Sequence, residues 1–251
     1  MARRSFDDLV GEATNAPIAG WDFSWLEGRA TEERPPWGYA RLVGERSVRA
    51  RRHLDLQTGG AELVDAIPTP APLLVVTESW RPNVTVAGRR LPHRVVEAVD
   101  DLPFASGAFD LVTSRHPVDT PWLEIARVLE PGGTCLSQQV GPRSAFEVTE
   151  HFLGPQPPSE HRSPQRARAD AIAAGLDVVD LREARLRMTF DDIGAVVYFL
   201  RLVVWIVPGF ADDIAAHTDA LRDLHERIER DGPFVAHSTR FLIEARRRRS
   251  G

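Results

Sequence analysis

The stretch His53-Leu54-Asp55-Leu56-Gln57-Thr58-Gly59-Gly60-Ala61-Glu62 gathers more potential chemistry than any other ten residues of the chain. It reads as a short buried strand with an acidic group near its end, a turn through glycines, and a helix opening at Glu62. Glycine lacks a Cβ, so such a turn brings backbone N–H groups close to a ligand. Glu78, Asp100-Asp101-Leu102-Pro103-Phe104 and Leu129-Glu130-Pro131-Gly132-Gly133 follow at the spacing of one nucleotide-binding βα sheet. His116 is the candidate catalytic residue, because a near-neutral imidazole there could deprotonate a hydroxyl or amine. A purely structural loop histidine is the competing reading. His151, beside Glu150, is a second and weaker candidate. The eight histidines form no pair at metal-ligand spacing with acidic partners, so no metal site is expected.

The elements that must hold these groups alternate between strand and helix, as in a parallel sheet with crossover helices. Strands are expected at Arg52–Leu56, Pro72–Thr77, Arg94–Val99, Phe109–Ser114 and Thr134–Val140. Helices are expected at Gly60–Ile67, Pro82–Arg90 and Thr120–Leu129, the last stopped by Pro131-Gly132-Gly133. The run Pro72-Leu73-Leu74-Val75-Val76-Thr77 is apolar without alternation, which suits a strand covered on both faces. Beyond the Pro-rich loop at 154–159, a helix at Pro164–Ala174 precedes a long strand at Leu176–Thr189. Two helices, Asp191–Val204 and the amphipathic Ala211–Arg230, then precede a final strand at Pro233–Ala245.

Composition narrows the function class. The net charge of −5 argues against a general nucleic-acid binder, whose affinity would rest on neutralising phosphates. All 31 basic residues are arginine, which we read as codon bias rather than recognition. One cysteine, Cys135, excludes an internal disulfide and a cysteine-based zinc site. No apolar run is long enough to span a bilayer and no signal peptide is visible, so a cytoplasmic protein without a membrane partner is expected.

Taken together, these motifs resemble the class I S-adenosylmethionine-dependent methyltransferases of the type 11-like kind. The resemblance rests on four segments in order: Leu54–Glu62, the acidic group at Glu78, Leu102–Val112, and Glu124–Gly133. It spans roughly residues 20 to 247 and implies a Rossmann-like α/β fold. That fold would have a seven-stranded, mostly parallel sheet with its last strand antiparallel. A helical cap would come from the N-terminal segment and the insertion between the last two strands. The implied organisation is a lid segment at 1–50 and a cofactor-binding domain at 51–247, with 191–231 as the helical insertion.

By the same resemblance, the cofactor is S-adenosylmethionine, with S-adenosylhomocysteine as product. Asp55, Gln57, Gly59 and Gly60 would surround its methionyl end. Glu78, with Ser79, would meet the ribose, a carboxylate being a fitting acceptor for a vicinal diol. Asp100 or Asp101 with Leu102 would hold the adenine. Ser114, Arg115 and His116 would border the methyl-transfer side. Trp21–Arg29 is expected either to seal the sheet edge or to form a lid, with Arg29 facing the cofactor carboxylate and Trp25, Trp37 or Tyr39 lining the pocket. Gln57 and Ala61 depart from the family's glycine pattern. The expected reaction is methyl transfer to a small-molecule oxygen, nitrogen or carbon nucleophile. An RNA methyltransferase and a non-catalytic ligand-binding or partner protein are the alternatives.

Overall fold

The structure is a computed structural model and describes residues 4–18, 20–98 and 101–249. In chain order the elements begin with α1 (Phe6–Asn15), β1 (Ala30–Glu32), α2 (Tyr39–Ser47), β2 (Arg52–Leu56) and α3 (Glu62–Asp65). They continue with β3 (Leu73–Glu78), α4 (Arg81–Arg90), β4 (Val95–Glu97), β5 (Phe109–Arg115), α5 (Trp122–Val128) and β6 (Leu129–Val140). The last are α6 (Phe146–Leu153), α7 (Pro164–Ala173), β7 (Leu176–Phe190), α8 (Ile193–Leu202), α9 (Thr218–Asp231) and β8 (Phe234–Arg247). The strand order is β1-β7-β8-β6-β5-β2-β3-β4.

The fold is the expected Rossmann-like α/β class, with one strand more than expected. The extra strand, β1, has three residues, too few for an alternation pattern to show. Helices α1 and α2 lie in the N-terminal segment expected to be helical, without bounds having been assigned, and α6 was not anticipated. Two boundaries need correction. Pro131-Gly132-Gly133 is not a turn ahead of a strand but part of β6, which starts at Leu129. The ladder accommodates it by a register shift: Phe109 faces Leu129, whereas Leu111 faces Thr134. The expected helix at 60–67 shrinks to the four residues of α3, and α9 starts only at Thr218. Val99 and Asp100 lie outside the described residues.

The chain divides into two compact units. One comprises residues up to 34, 143–158 and 185–239; the other comprises 35–142, 159–184 and the residues from 240 onward. The expected 1–50 segment is therefore divided between them at Arg34.

The second unit holds the glycine turn. Its β2 lies between β3 and β5, parallel to both, and β4 and β6 extend the sheet in parallel on either side. β8 closes against β6 in antiparallel register. Because side chains alternate along a strand, Leu54 and Leu56 share a face and join an apolar cluster with Phe109, Val112, Trp122 and Ile125. His53 and Asp55 take the opposite face, where Tyr39, Leu42 and Val43 of α2 pack with Leu74, Val76 and Leu136. Burying Leu54 and Leu56 contributes roughly 2 kcal/mol each, a gain against which the cost of the two buried polar residues must be set.

The first unit is built around α8, whose residues are all buried except the partly exposed Arg201. Such a helix belongs in a core. Gly194 admits α1: a Cβ there would lie 2.8 Å from the Leu9 carbonyl oxygen. Arg201 donates to the carbonyls of Ala13 and Ala16, a cation satisfying the C-terminal end of α1. Asp192 N-caps α8 by accepting from the Ala195 N–H at 2.9 Å, and it receives Arg29 in a two-pronged pair at 2.9 and 3.0 Å.

Asp192 thus serves as cap and counter-ion together. Asp192→Ala should cost about 2–3 kcal/mol in urea unfolding, since it removes the cap and leaves a partly buried guanidinium with only the longer pair to Glu12 at 3.5 Å. Asp192→Asn, which keeps the cap, should cost about half as much. Equal losses would show that the charge pair alone matters, and an unaffected Asp192→Asn that the cap alone does.

Candidate functional site

Asp55 ends the buried polar face of β2 with 5% of its surface exposed. Burial raises its carboxyl to about 6, against the lowering effects of the Thr113 and Thr58 hydroxyls and of Arg115. Thr113 donates to Oδ1, and no described residue donates to Oδ2. The Thr58 Oγ1 atom is buried and completes no hydrogen bond of acceptable geometry among the described residues, although it stands beside Asp55. A carboxylate oxygen and a buried hydroxyl thus stand together at the turn, each without a hydrogen-bond donor or acceptor of acceptable geometry among the described residues.

The turn itself is pinned from β3. The Thr58 N–H donates to the Thr77 carbonyl at 2.9 Å, and the Gly59 N–H donates to Glu78 Oε2 at 2.8 Å. Gly59 sits at φ +63°, where a side chain would be strained. Glu78 Oε1 accepts from the N–H groups of Ser79 and Trp80 at 2.8 and 2.9 Å, and Asn83 approaches Oε2 at 3.5 Å. A diol reaching Glu78 must therefore replace or share one of these bonds. Gly60 gives its carbonyl to Arg90 at 2.8 Å.

Gln57 occupies the left-handed region at φ +51°. Its side chain turns onto the loop after β5, donating to the Asp119 carbonyl at 2.8 Å and accepting from the Val118 N–H at 2.7 Å. Both ends of the amide are thereby spent on main chain. The sequence suggests that Gln57 either crowds or bonds a ligand; the structure makes it a brace between two loops.

His116 is also at positive φ, +55°, and its N–H donates to the Gln138 carbonyl at 2.7 Å. The Trp37 indole can only donate, and does so to Gln138 Oε1 at 2.7 Å. Gln138 Nε2 must then donate to His116 Nε2, 2.9 Å away. His116 is accordingly neutral with its proton on Nδ1. Burial, with Arg240 and Arg115 nearby, holds its pKa well below the ordinary value. It is a lone-pair acceptor already occupied by an amide, so it can take a proton only if Gln138 yields. Tyr39 lies nearby on α2, its hydroxyl donating to the carbonyls of Ser114 and Leu136 at 2.7 and 3.1 Å.

The other expected residues divide. Ser79 and Asp101 are exposed beside the turn-bearing strands, and Arg115 is exposed at the end of β5. Ser114 faces inward and shares a hydroxyl bond with Ser137 at 2.8 Å. Leu102 is buried; its N–H donates to Glu124 and its carbonyl accepts from Arg127. Asp100 is outside the described residues. Arg29 belongs to the other unit, where its guanidinium grips Asp192 and lies 3.8 Å over Trp25, which in turn stacks on Tyr198. These contacts account for Arg29 without a ligand. His151 Nε2 donates to the Ala220 carbonyl of α9 at 2.8 Å, as a packed residue does.

Sequence reasoning missed Thr113, His53, Gln138 and the Glu124–Arg127 clasp. Among these only the clasp left a signal, in the quoted Glu124–Gly133 segment. A cavity of about 160 Å³ opens beside the braced loop, lined among others by Val118, Thr120, Gln139, Arg162 and Arg166. A larger one, about 320 Å³, lies between Val64, Leu74, Arg90 and Arg94 and meets the groups above only through Arg90, which holds the Gly60 carbonyl. The first borders the loop that Gln57 braces, and neither cavity is lined by Asp55, Thr58, Gly59 or Glu78.

Comparison with known proteins gives a family model and a fold. Residues 54–137 match the model of a methyltransferase domain. The YcgJ protein of Bacillus subtilis aligns over 84% of this chain and 99% of its own, with 18% identity and a TM-score of 0.60. A candidate methyltransferase of Bacillus halodurans aligns over 83% and 98%, with 17% identity and a TM-score of 0.57. The [4+2]-cyclase SpnF aligns over 84% and 81%, with 22% identity and a TM-score of 0.53. No curated protein sequence matches the chain.

The buried pair on β2 makes a signed prediction about pH. Asp55 titrates near 6 in the fold against 3.8 unfolded, so its contribution falls as pH rises through that window. His53, pushed down to about 4 by burial, does the reverse: stability rises from pH 4 to 6.5 as the unfolded imidazole loses its proton. The two should nearly cancel in the parent chain. Asp55→Asn should leave the His53 slope alone, a gain of about 3 kcal/mol from pH 4 to 6.5. A flat profile in the variant would contradict the burial of His53.

Proposed function

Because residues 54–137 match the model of a methyltransferase domain and the fold is shared with a candidate methyltransferase of Bacillus halodurans, we propose that the chain moves a methyl group from S-adenosylmethionine to an oxygen, nitrogen or carbon of a small-molecule acceptor. The observation that carries this reading is the pair of carboxylates ending adjacent parallel strands. Asp55 and Glu78 flank a glycine turn that is hydrogen-bonded to one of them.

The donor set fits a ligand with a cation at one end and a diol at the other. Asp55 Oδ2 and the Thr58 hydroxyl suit an ammonium, and Glu78 suits ribose hydroxyls. Asp101 and Leu102 would border the nucleobase. When bound, the cofactor supplies a methyl group already activated by a sulfonium. The chain's task is then to orient the acceptor and exclude water, since positioning can supply much of the rate. Arg115 and the Gln57-braced loop border the side where the acceptor would lie. His116 can serve as a base only by exchanging its Gln138 bond, so the reading does not depend on it.

Two observations favour rivals. The arginine-rich surface leaves RNA as an acceptor class, and a steep fall of RNA binding with salt would support it. The likeness to SpnF, named for a cyclisation, fits a chain that keeps the fold and has another activity; methyl transfer to any acceptor in a metabolite panel would remove that rival.

Titration calorimetry with S-adenosylhomocysteine should show saturable binding, and none at millimolar ligand would end the proposal. Glu78→Gln, which keeps one acceptor oxygen for the turn and loses the other together with the charge, should weaken binding about ten-fold, roughly 1.4 kcal/mol. Unchanged affinity would displace the ribose contact from Glu78.

A further inference from the structure

A line of buried hydrogen bonds runs behind Asp55, and no part of the reading above employs it. The Ala71 N–H donates to Ser47 Oγ at 3.1 Å. Ser47 Oγ lies 3.0 Å from His53 Nδ1, and His53 Nε2 lies 2.7 Å from Thr113 Oγ1. Thr113 then donates to Asp55 Oδ1. Ser47, His53 and Thr113 are each fully buried, so no water offers an alternative partner.

Donor and acceptor rules fix the direction. Thr113 spends its one proton on Asp55, so His53 Nε2 must donate to Thr113 and Nδ1 must accept from Ser47. Ser47 can give its proton away because the Ala71 amide, which is only a donor, occupies its oxygen. Reversing the line would leave the Ser47 hydroxyl hydrogen with no acceptor here, a cost of about 1–3 kcal/mol in a buried site. Every donor therefore points toward the carboxylate, as suits its ionised form, and aligned bonds reinforce one another.

We propose that His53 is a positioning residue for the donor site: through Thr113 it holds Asp55 ionised, with Oδ1 occupied and Oδ2 turned to the cationic amino group of the cofactor. This rests on the methyltransferase reading above. Other charges bear on the pair from each packed element. Arg115 of β5 favours the ionised Asp55, and Tyr39 of α2 senses that charge. Asp110 of β5 acts on His53. Glu78 of β3 is held by its own donors. None of these contacts runs through Thr113, so Thr113→Val removes the direct bond to Asp55 alone, and Ser47→Ala leaves that bond in place and cuts the line behind it.

The test uses the full chain. Thr113→Val keeps the shape and removes the link; Ser47→Ala removes its origin. In the ligand-free protein, carbon NMR of the Asp55 carboxyl should show its titration midpoint rising by about one unit or more in Thr113→Val, and by less in Ser47→Ala. Affinity for S-adenosylhomocysteine should then fall about ten-fold near pH 6 in Thr113→Val and recover toward pH 8. 5′-Methylthioadenosine, which has no amino group, should bind every variant alike at both pH values. An unmoved Asp55 midpoint in folded Thr113→Val would overturn the proposal and leave the methyltransferase reading intact. A moved midpoint with no binding of S-adenosylhomocysteine to the parent would instead overturn the reading, and with it the role given to Oδ2.

Discussion

An ionisable carboxyl buried at the end of a central strand is the constraint around which the second unit is arranged. Asp55 loses most of its hydration, and the fold answers with the Thr113 hydroxyl and with Arg115 beside it. Such a group is retained at a net cost in stability, since an apolar residue of similar size would fit the same core without one. A cost of that kind is the mark of a working site rather than of a scaffold. The glycine turn that follows is held by a second carboxylate, Glu78, so the two acidic strand ends form one connected structure.

Local rule-breaking clusters in the same place. Gln57, Ala61 and His116 are three of the non-glycine residues with positive φ, and they lie in the turn or in the loop it braces. Each costs of order 1 kcal/mol. Gln57 recovers some of this through two main-chain bonds, and His116 through Gln138. The brace also explains how a family pattern of glycines admits a long polar side chain: the amide leaves the turn instead of filling it.

Much of this was legible in the sequence. The strand β3 is a short apolar run whose neighbours on both sides are also strands, so continuous hydrophobicity marked it well, while β2 was marked by Leu54 and Leu56 leading into the glycine turn. Asp55 and Glu78 were legible because they interrupt apolar runs at their carboxyl ends. What could not be read depends on pairing over long separations. The three residues of β1 show nothing by themselves and exist through β7. Pro131-Gly132-Gly133 reads locally as a turn, yet the β5 ladder carries it as an irregularity within β6. The partners of His53 lie 6 and 60 residues away in sequence, so its role has no local signature. The Arg29 pairing has no local signature for the same reason: its partner Asp192 is 163 residues distant.

The central claim is that the turn between Asp55 and Glu78 receives the adenosyl cofactor. Amide NMR of the labelled chain during addition of S-adenosylmethionine tests it most directly. The account predicts that the largest shifts fall on Thr58, Gly59, Ser79 and Leu102, with the Gly59 amide responding as its bond to Glu78 is exchanged. Saturable shifts confined to residues around Val64 and Arg94, or none at all, would contradict it.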